Sequence, residues 1–347
     1  MTFVRRAARW CAAALLIACA GSQPEPKPPS PVRPGSGPTT RTPYTEVPAT
    51  EAWPVKTRYV IDLWLHGFAM ITDDTAKVPI FRRGYRDFMV VEKNKRQILT
   101  LLDSDHDSLA KYLVEHPYVI NSQFFVLGQH EWDVMYQDIQ AYLQTGGDPR
   151  KVKGAAAQQA LRPYFGMFPG SADRKFLAMF AAALQDEHTK FYQAYWRQVE
   201  AAQRPVLAAV DTLWDKVYLR QFRRFQQGAE LERGEIYLSL PLGGEGRTML
   251  NGKRENVIAV LMPDSAARAS EMLFVVAHEA VGNYVSRAVG DNTTPNEKKS
   301  GLADRYTSAA SVRGGALVIE RIAPTLLTAY QGYYLRAAGV NYPAARR

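Results

Sequence analysis

The chain has 347 residues, with 43 lysines and arginines against 34 acidic residues, and a formal net charge of +9. Its basic residues are scattered rather than gathered into a stripe, so nucleic acid is not an expected partner. Only two cysteines are present, Cys11 and Cys19. The folded part after Cys19 therefore has no disulfide, thiol nucleophile or cysteine-ligated zinc.

The first residues have the layout of an export signal. Three arginines (Arg5, Arg6 and Arg9) precede a short apolar run that ends in Leu16-Ile17-Ala18-Cys19. This pattern resembles the lipobox of bacterial lipoproteins, in which the cysteine becomes the mature N-terminus and carries two or three acyl chains. The resemblance implies a signal peptide over residues 1–18 and a lipid anchor on Cys19. It also implies residence in the cell envelope, with the outer membrane permitted because Ala20 follows the cysteine.

A proline-rich segment follows the predicted anchor. Residues 24–54 contain ten of the 21 prolines, together with Ser, Thr and Gly. Such a composition has too little to bury, which predicts an extended, disordered linker over 19–56. The remainder is long enough for a real core. It divides into a mixed α/β and helical region over 57–230 and a region over 231–347, which together can form one domain.

The first of these regions is predicted to begin with a strand. Residues 58–71 are rich in β-branched and aromatic side chains, and Gly67 would mark a bend or bulge. Helices are predicted near 106–115, 131–145 and 155–162. A long helical region is predicted over 172–228, with an interruption at Pro205.

The second region is predicted to contain two strands followed by three helices. The strands cover 235–241 and 255–262, and a glycine-rich hairpin turn at 243–246 would join them. The first helix is capped by Asp264 or Ser265 and contains His278. A capping box over 294–297 starts the second helix, and the third covers 308–322. The predicted fold class is α+β, mainly helical.

The sequence His278-Glu279-Ala280-Val281-Gly282 carries the chemical interest of the chain. With Glu320 on the following helix, it resembles the zincin metallopeptidases that use glutamate as the third zinc ligand. The resemblance implies a small sheet packed on the His278 helix, His278 and Glu320 as zinc ligands, and Glu279 as general base. Gly282 occupies the position of the second histidine, so one ligand is missing. His66 and His188 are the candidate replacements.

Simpler interpretations stand beside this one. His278 can be a core residue and Glu279 its salt-bridge partner, while close packing against another backbone would explain Gly282. The acidic stretch 103–107 lacks the glycine and the final glutamate of a calcium loop, which favours helix capping.

Two functional hypotheses follow from the zincin resemblance. One is a membrane-anchored envelope lipoprotein whose zincin-like domain is non-catalytic or altered and binds a peptide or envelope partner. The other is an active zinc peptidase with an unidentified additional ligand.

Overall fold

The computed structural model describes residues 53–72, 80–227, 233–251, 255–299 and 302–338. These residues belong to one compact unit, Val47–Arg347. The predicted signal peptide, the anchor at Cys19 and most of the linker lie outside the described residues. Trp53 and the short strand β1 (Val55–Lys56), which the sequence assigned to the linker, belong to the folded unit. Within the described ranges, no helix combines the length and apolar character of a membrane span.

The first half of the chain is a helical assembly. Its α-helices are α1 (Tyr59–Ile71), α2 (Tyr85–Lys95), α3 (Leu101–Ser104), α4 (His106–Glu115), α5 (Trp132–Gln144), α6 (Ala155–Met167), α7 (Ser171–Glu187), α8 (Gln193–Ala202), α9 (Arg204–Leu213) and α10 (Leu219–Gln227). The three helices predicted between 106 and 162 are therefore confirmed. The predicted interruption near Pro205 is also confirmed, since α8 ends and α9 begins on either side of Gln203.

The predicted strand over 58–71 is wrong, because these residues form helix α1. Every residue of α1 after Tyr59 is buried, including its two polar residues Asp62 and His66. The sequence therefore has no broad polar face that would reveal a helical period. Gly67 marks no bulge either. A Cβ at Gly67 would lie 2.6 Å from Leu184 Cδ2 and 2.8 Å from Phe180 Cζ, so the glycine lets α1 pack closely on α7.

Two π-helical segments interrupt the long helical region, at His188–Tyr192 and Trp214–Tyr218. A π-helical turn inserts extra backbone into a helix and reorients the side chains around it. In the first segment, Tyr192 is buried and stacks on His66, with ring centroids 4.0 Å apart. The aromatic side chains of this region mostly pack in the core, as the sequence predicted.

A four-stranded mixed sheet lies against this assembly in the order β1, β2 (Arg233–Ser239), β4 (Glu255–Leu261), β3 (Arg247–Asn251). The two predicted strands are confirmed, but the predicted hairpin between them is wrong. Strand β2 is parallel to β4, with Ile236 opposite Ile258, whereas β3 is antiparallel to β4. The glycine-rich stretch therefore leads from β2 across to the far edge of the sheet.

Four helices complete the described part: α11 (Ser270–Asn292), α12 (Pro295–Lys299), α13 (Leu302–Ile322) and α14 (Leu327–Ala338). The capping box is confirmed, because Glu297 Oε2 accepts a hydrogen bond from the Thr294 backbone at 2.8 Å. Helix α14, beyond Pro324, was not predicted. Helix α11 packs against β4 on one side and α13 on another, which buries the His278 region. The predicted α+β, mainly helical class is confirmed.

Candidate functional site

The candidate site is centred on His278 and Glu279, which are adjacent on the buried part of α11. The His278 Nδ1 atom donates a hydrogen bond to Glu279 Oε1 at 2.8 Å. Both side chains are more than nine-tenths buried. The two residues therefore form a shielded pair within one turn of helix.

The loop between β2 and β3 is fastened to this pair. The backbone N–H of Gly246 donates to Glu279 Oε1 at 2.9 Å. A Cβ at Gly246 would lie 2.3 Å from the carbonyl oxygen of Ala259 and 2.8 Å from Glu279 Cγ. Only glycine permits this approach, so the glycine-rich stretch serves the site rather than a hairpin turn.

Two charged residues flank Gly246 and extend the cluster. Glu245 Oε1 accepts a hydrogen bond from Ser308 Oγ of α13 at 2.5 Å. Arg247 is buried, donates from Nε to Gln123 Oε1 at 2.8 Å and donates from Nη1 to the carbonyl of Gly246 at 2.8 Å. The loop thus joins α11, α13 and the 3-10 segment that contains Gln123.

The remaining ring nitrogen of His278 distinguishes the site. His278 Nε2 is buried and has no hydrogen-bond partner among the described residues. The imidazole stacks on Tyr334 of α14, with centroids 5.6 Å apart and planes 20° apart. A buried polar atom without a partner costs about 1–3 kcal/mol, so its presence requires an explanation.

His278 and Glu279 shift each other's pKa values. Burial opposes a charged imidazole, but the hydrogen bond to Glu279 and the charges of Glu279 and Glu245 raise the pKa of His278 above 6.5. Burial likewise opposes a charged carboxylate, yet the partner His278, the Gly246 amide and Arg247 lower the pKa of Glu279 below 4.5. The cluster consequently favours an imidazolium paired with a carboxylate.

Helix α13 approaches α11 closely at Gly315. A Cβ at this position would lie 3.2 Å from the backbone nitrogen of His278 and 2.3 Å from Tyr330 Oη. Gly282 differs, because a Cβ there would meet only Ser311 Oγ, at 3.9 Å. The predicted explanation of Gly282 by close backbone packing is therefore wrong, and there is open space beside it.

Glu320 is not brought to the pair. It lies near the end of α13 with its side chain exposed, whereas Gly315, Ile319 and Ser311 are buried. No hydrogen bond or ion pair among the described residues joins Glu320 to His278. Of the predicted site residues, the structure brings together His278 and Glu279 but leaves Glu320 on the solvent side of its helix.

The two candidate replacement histidines are also occupied elsewhere. His66 is in α1, where Nε2 contacts Glu187 Oε1 and Nδ1 contacts Tyr85 Oη, both at 3.0 Å. His188 Nδ1 contacts Tyr59 Oη at 2.8 Å. Neither histidine has a contact with His278, so neither fills the position that Gly282 leaves open.

The acidic stretch 103–107 has the capping role that was favoured over calcium binding. Asp103 forms a capping box with Thr100 at the start of α3. Its carboxylate also accepts hydrogen bonds from the buried Lys93 at 2.9 Å. Asp107 contacts His106. These contacts account for two of the three aspartates.

A zinc ion needs three protein ligands in a catalytic site. At His278 the Nδ1 atom is committed to Glu279, Gly282 has no donor, and Glu320 is exposed. Across the described ranges, no group of three His, Cys, Asp or Glu side chains is arranged to hold a metal. The orphaned Nε2 is a single donor, so the residues near it do not fit a zinc centre.

Several residues of the cluster were not predicted from the sequence, notably Glu245, Arg247, Ser308 and Tyr334. The available signal was Glu245-Gly246-Arg247, in which opposite charges flank a glycine at the start of a strand. It was interpreted as a turn because the position of β3 beside β4 was not recognised.

Comparison of the chain with family models, with curated proteins and with solved structures finds no match.

Proposed function

We propose that the protein is an envelope lipoprotein, anchored through Cys19, whose folded domain has a zincin-like arrangement without a working metal centre. Its role is to bind a peptide or another envelope protein rather than to cut it. The proposal combines the lipobox signature with the observation that the Glu279 carboxylate accepts hydrogen bonds from other groups of the protein. The carboxylate holds both His278 and the Gly246 loop, which is a structural task in place of the general-base role. The exposed position of Glu320 and the missing side chain at Gly282 leave His278 without companion zinc ligands among the described residues.

The arrangement of the sheet supports the peptide-binding part of this proposal. Strand β3 is at the edge of the sheet and pairs only with β4 among the described strands. An edge strand presents unpaired backbone groups, which can accept an extended peptide. The buried cluster at Gly246 fixes the start of β3 at Arg247. A rigidly held edge binds a peptide with less loss of conformational freedom.

An active zinc peptidase is the second candidate, and the buried His278 Nε2 without a partner favours it. In this function His278 and Glu320 would bind zinc and Glu279 would be the general base. The peptidase function requires further zinc ligands, which the described residues do not bring to His278. The substitution of Gly282 by histidine discriminates the two candidates, because it supplies a second imidazole one helical turn from His278.

Calorimetric titration with zinc, on the full chain and on the Gly282→His variant, tests whether the site binds metal. On the proposed function the unsubstituted chain does not bind zinc at micromolar concentration. The Gly282→His variant gains at least about tenfold in zinc affinity and loses it again when His278→Ala is added. Tight zinc binding by the unsubstituted chain, lost in His278→Ala alone, would favour the active peptidase.

Cell fractionation tests the anchor separately. Cys19→Ser removes the acylated side chain, so the protein should move from the membrane fraction to the soluble fraction. Cys11→Ser is the matched control, because the predicted cleavage discards Cys11. Continued membrane retention of the Cys19→Ser chain would overturn the lipoprotein proposal.

A further inference from the structure

A groove beside the ends of β2 and β4 has the features of a docking surface. It has a volume of about 640 Å³ and lies between α2 and α8, against Leu240 and Met262. These two residues directly follow β2 and β4. A smaller groove of about 280 Å³ shares Arg82, Arg83 and Asp264 with it and continues to α14. We refer to the two together as the arginine groove.

The floor of the arginine groove is apolar. Tyr85 and Met89 of α2 line it and are buried, while Phe88 is 51% exposed. Val199 of α8 and Leu240 line the other side. Exposed aromatic side chains beside an apolar cleft are typical anchor points in protein interfaces. The volume of the larger groove falls within the roughly 300–1,000 Å³ of ligand sites.

The carboxylates that line the groove already have cationic partners. Asp264 pairs with Arg82 and with Arg268, Glu271 pairs with Arg268, and Glu92 pairs with Lys95. Little negative charge is therefore left to attract a basic ligand.

Three arginines of the lining, in contrast, have no carboxylate partner among the described residues: Arg83, Arg96 and Arg336. All three side chains are exposed. Arg96 is held in position by Gln198, whose Oε1 accepts a hydrogen bond at 2.9 Å, and by the rings of Phe191 and Tyr195. A guanidinium fixed in this way can bind a carboxylate through two parallel hydrogen bonds.

We propose that the arginine groove binds an acidic peptide segment with aromatic or aliphatic side chains, contributed by a partner protein of the envelope. This inference rests on the proposed binding function, but it places the partner in the arginine groove rather than at the β3 edge and names the chemistry of that partner. Carboxylates of the peptide pair with Arg83, Arg96 and Arg336, while its apolar side chains cover Phe88 and the floor. The concave shape between two helices suits an extended peptide better than a flat lipid surface or a nucleic-acid duplex.

Peptide display on the full chain carrying Cys19→Ser tests the proposal without a competing lipid anchor. A random library of about twelve residues is selected on this chain, and the recovered peptides are measured by fluorescence anisotropy. The selected peptides should combine Asp or Glu with aromatic or aliphatic residues. Arg83→Glu/Arg96→Glu should weaken their binding by about tenfold or more, because attraction becomes repulsion. Phe88→Ala should weaken binding without affecting the fold, since Phe88 is half exposed.

Lys153→Glu/Lys175→Glu is the matched control, because both lysines are exposed and neither lines the groove. It should leave peptide binding within about twofold of the parent. The proposal is overturned by basic or uncharged selected peptides, by the absence of any enriched peptide, or by equal binding to the groove variant. It is also overturned if phosphatidylglycerol vesicles, rather than peptides, bind the chain in an Arg83- and Arg96-dependent way. Zinc titration and membrane fractionation are unaffected by these outcomes, so a failure here is separate from a failure of the proposed function.

Discussion

The protein contains two buried His–Glu pairs that illustrate how the same chemistry serves different ends. In the helical half, His66 uses both ring nitrogens, one toward Tyr85 and the other toward Glu187. Lys93 completes that network with a 2.7 Å contact to Glu187 Oε2. In the second half, His278 donates from Nδ1 to Glu279, and its Nε2 has no partner in the part of the chain that the structure describes. The first pair is fully satisfied and structural, whereas the second retains an unused donor or acceptor.

The environments also push the two imidazoles in opposite directions. Burial lowers the pKa of His66 below 6.5 despite the hydrogen bond and charge of Glu187, and the charge of Lys93 adds a smaller contribution in the same direction as burial. At His278 the partner carboxylates outweigh burial and raise the pKa. Burial therefore dominates at His66, whereas at His278 the carboxylates of Glu279 and Glu245 outweigh both burial and the opposing charge of Arg247. The predictions below separate these two kinds of pair.

The largest expected effect is from Glu187→Gln. This substitution removes the charge that faces both His66 and the buried Lys93, and breaking a buried ion pair costs about 3–5 kcal/mol. Asp103 would then be the remaining carboxylate partner of Lys93 among the described residues, and it compensates only in part. The free energy of unfolding, measured by urea titration, should fall by this amount.

Glu279→Gln is the matched substitution in the second pair. Here the expected loss is smaller, about 1–3 kcal/mol, because His278 can release its proton and become neutral. Equal losses from the two substitutions would show that the distinction between a permanently charged network and a titratable pair is incorrect.

Alanine substitutions at two glycines near the contact of α11 and α13 should change the free energy of unfolding in opposite directions. Gly315→Ala places a methyl group against Tyr330 and the His278 backbone, and such overpacking costs about 1–3 kcal/mol. Gly282→Ala meets open space in a helix interior, where alanine is favoured by about 1 kcal/mol. Urea unfolding of both variants should show destabilisation for the first and stabilisation for the second. Destabilisation by Gly282→Ala would mean that glycine is required at 282 for a reason other than packing.

The smallest expected effect is the change with pH in the contribution of each histidine to the free energy of unfolding. The raised pKa of His278 means that its stabilising contribution is complete below about pH 6.5 and is lost as the pH rises through the folded-state pKa. Because the pKa of Glu279 is below 4.5, the pair contributes most between about pH 4.5 and 6.5. The difference in unfolding free energy between the unsubstituted chain and His278→Gln should therefore shrink above this window.

His66→Gln provides the opposite sign as a control. The lowered pKa of His66 means that its contribution is present above about pH 6.5 and is lost as the pH falls. Urea unfolding at several pH values should show that, as the pH rises, the loss of stability caused by His278→Gln shrinks while the loss caused by His66→Gln grows. Parallel pH profiles for the two variants would contradict the assigned protonation states.

Sequence patterns predicted the amphipathic helices and the capping box at Thr294 well, because periodicity and capping are local. The predicted cap of α11 by Asp264 or Ser265 is wrong, because the helix begins only at Ser270, after a 3-10 turn, and the Asp264 carboxylate pairs with Arg82 and Arg268. Helix α1 was mistaken for a strand because it is buried all round and shows no polar face. The arrangement of β2, β3 and β4 depends on contacts that no short window contains. His278 and Glu279 were identified from their spacing, whereas the role of Arg247 and the outward position of Glu320 depend on how α11, α13 and β3 pack.

The zinc content of untagged protein, purified without chelator and measured by elemental analysis, tests the central claim most directly. The account predicts far less than one zinc ion per chain, and the same low value for His278→Ala, because His278 Nδ1 is bonded to Glu279 and the described residues bring no further zinc ligand to His278. Close to one zinc ion per chain, lost in His278→Ala, would contradict it.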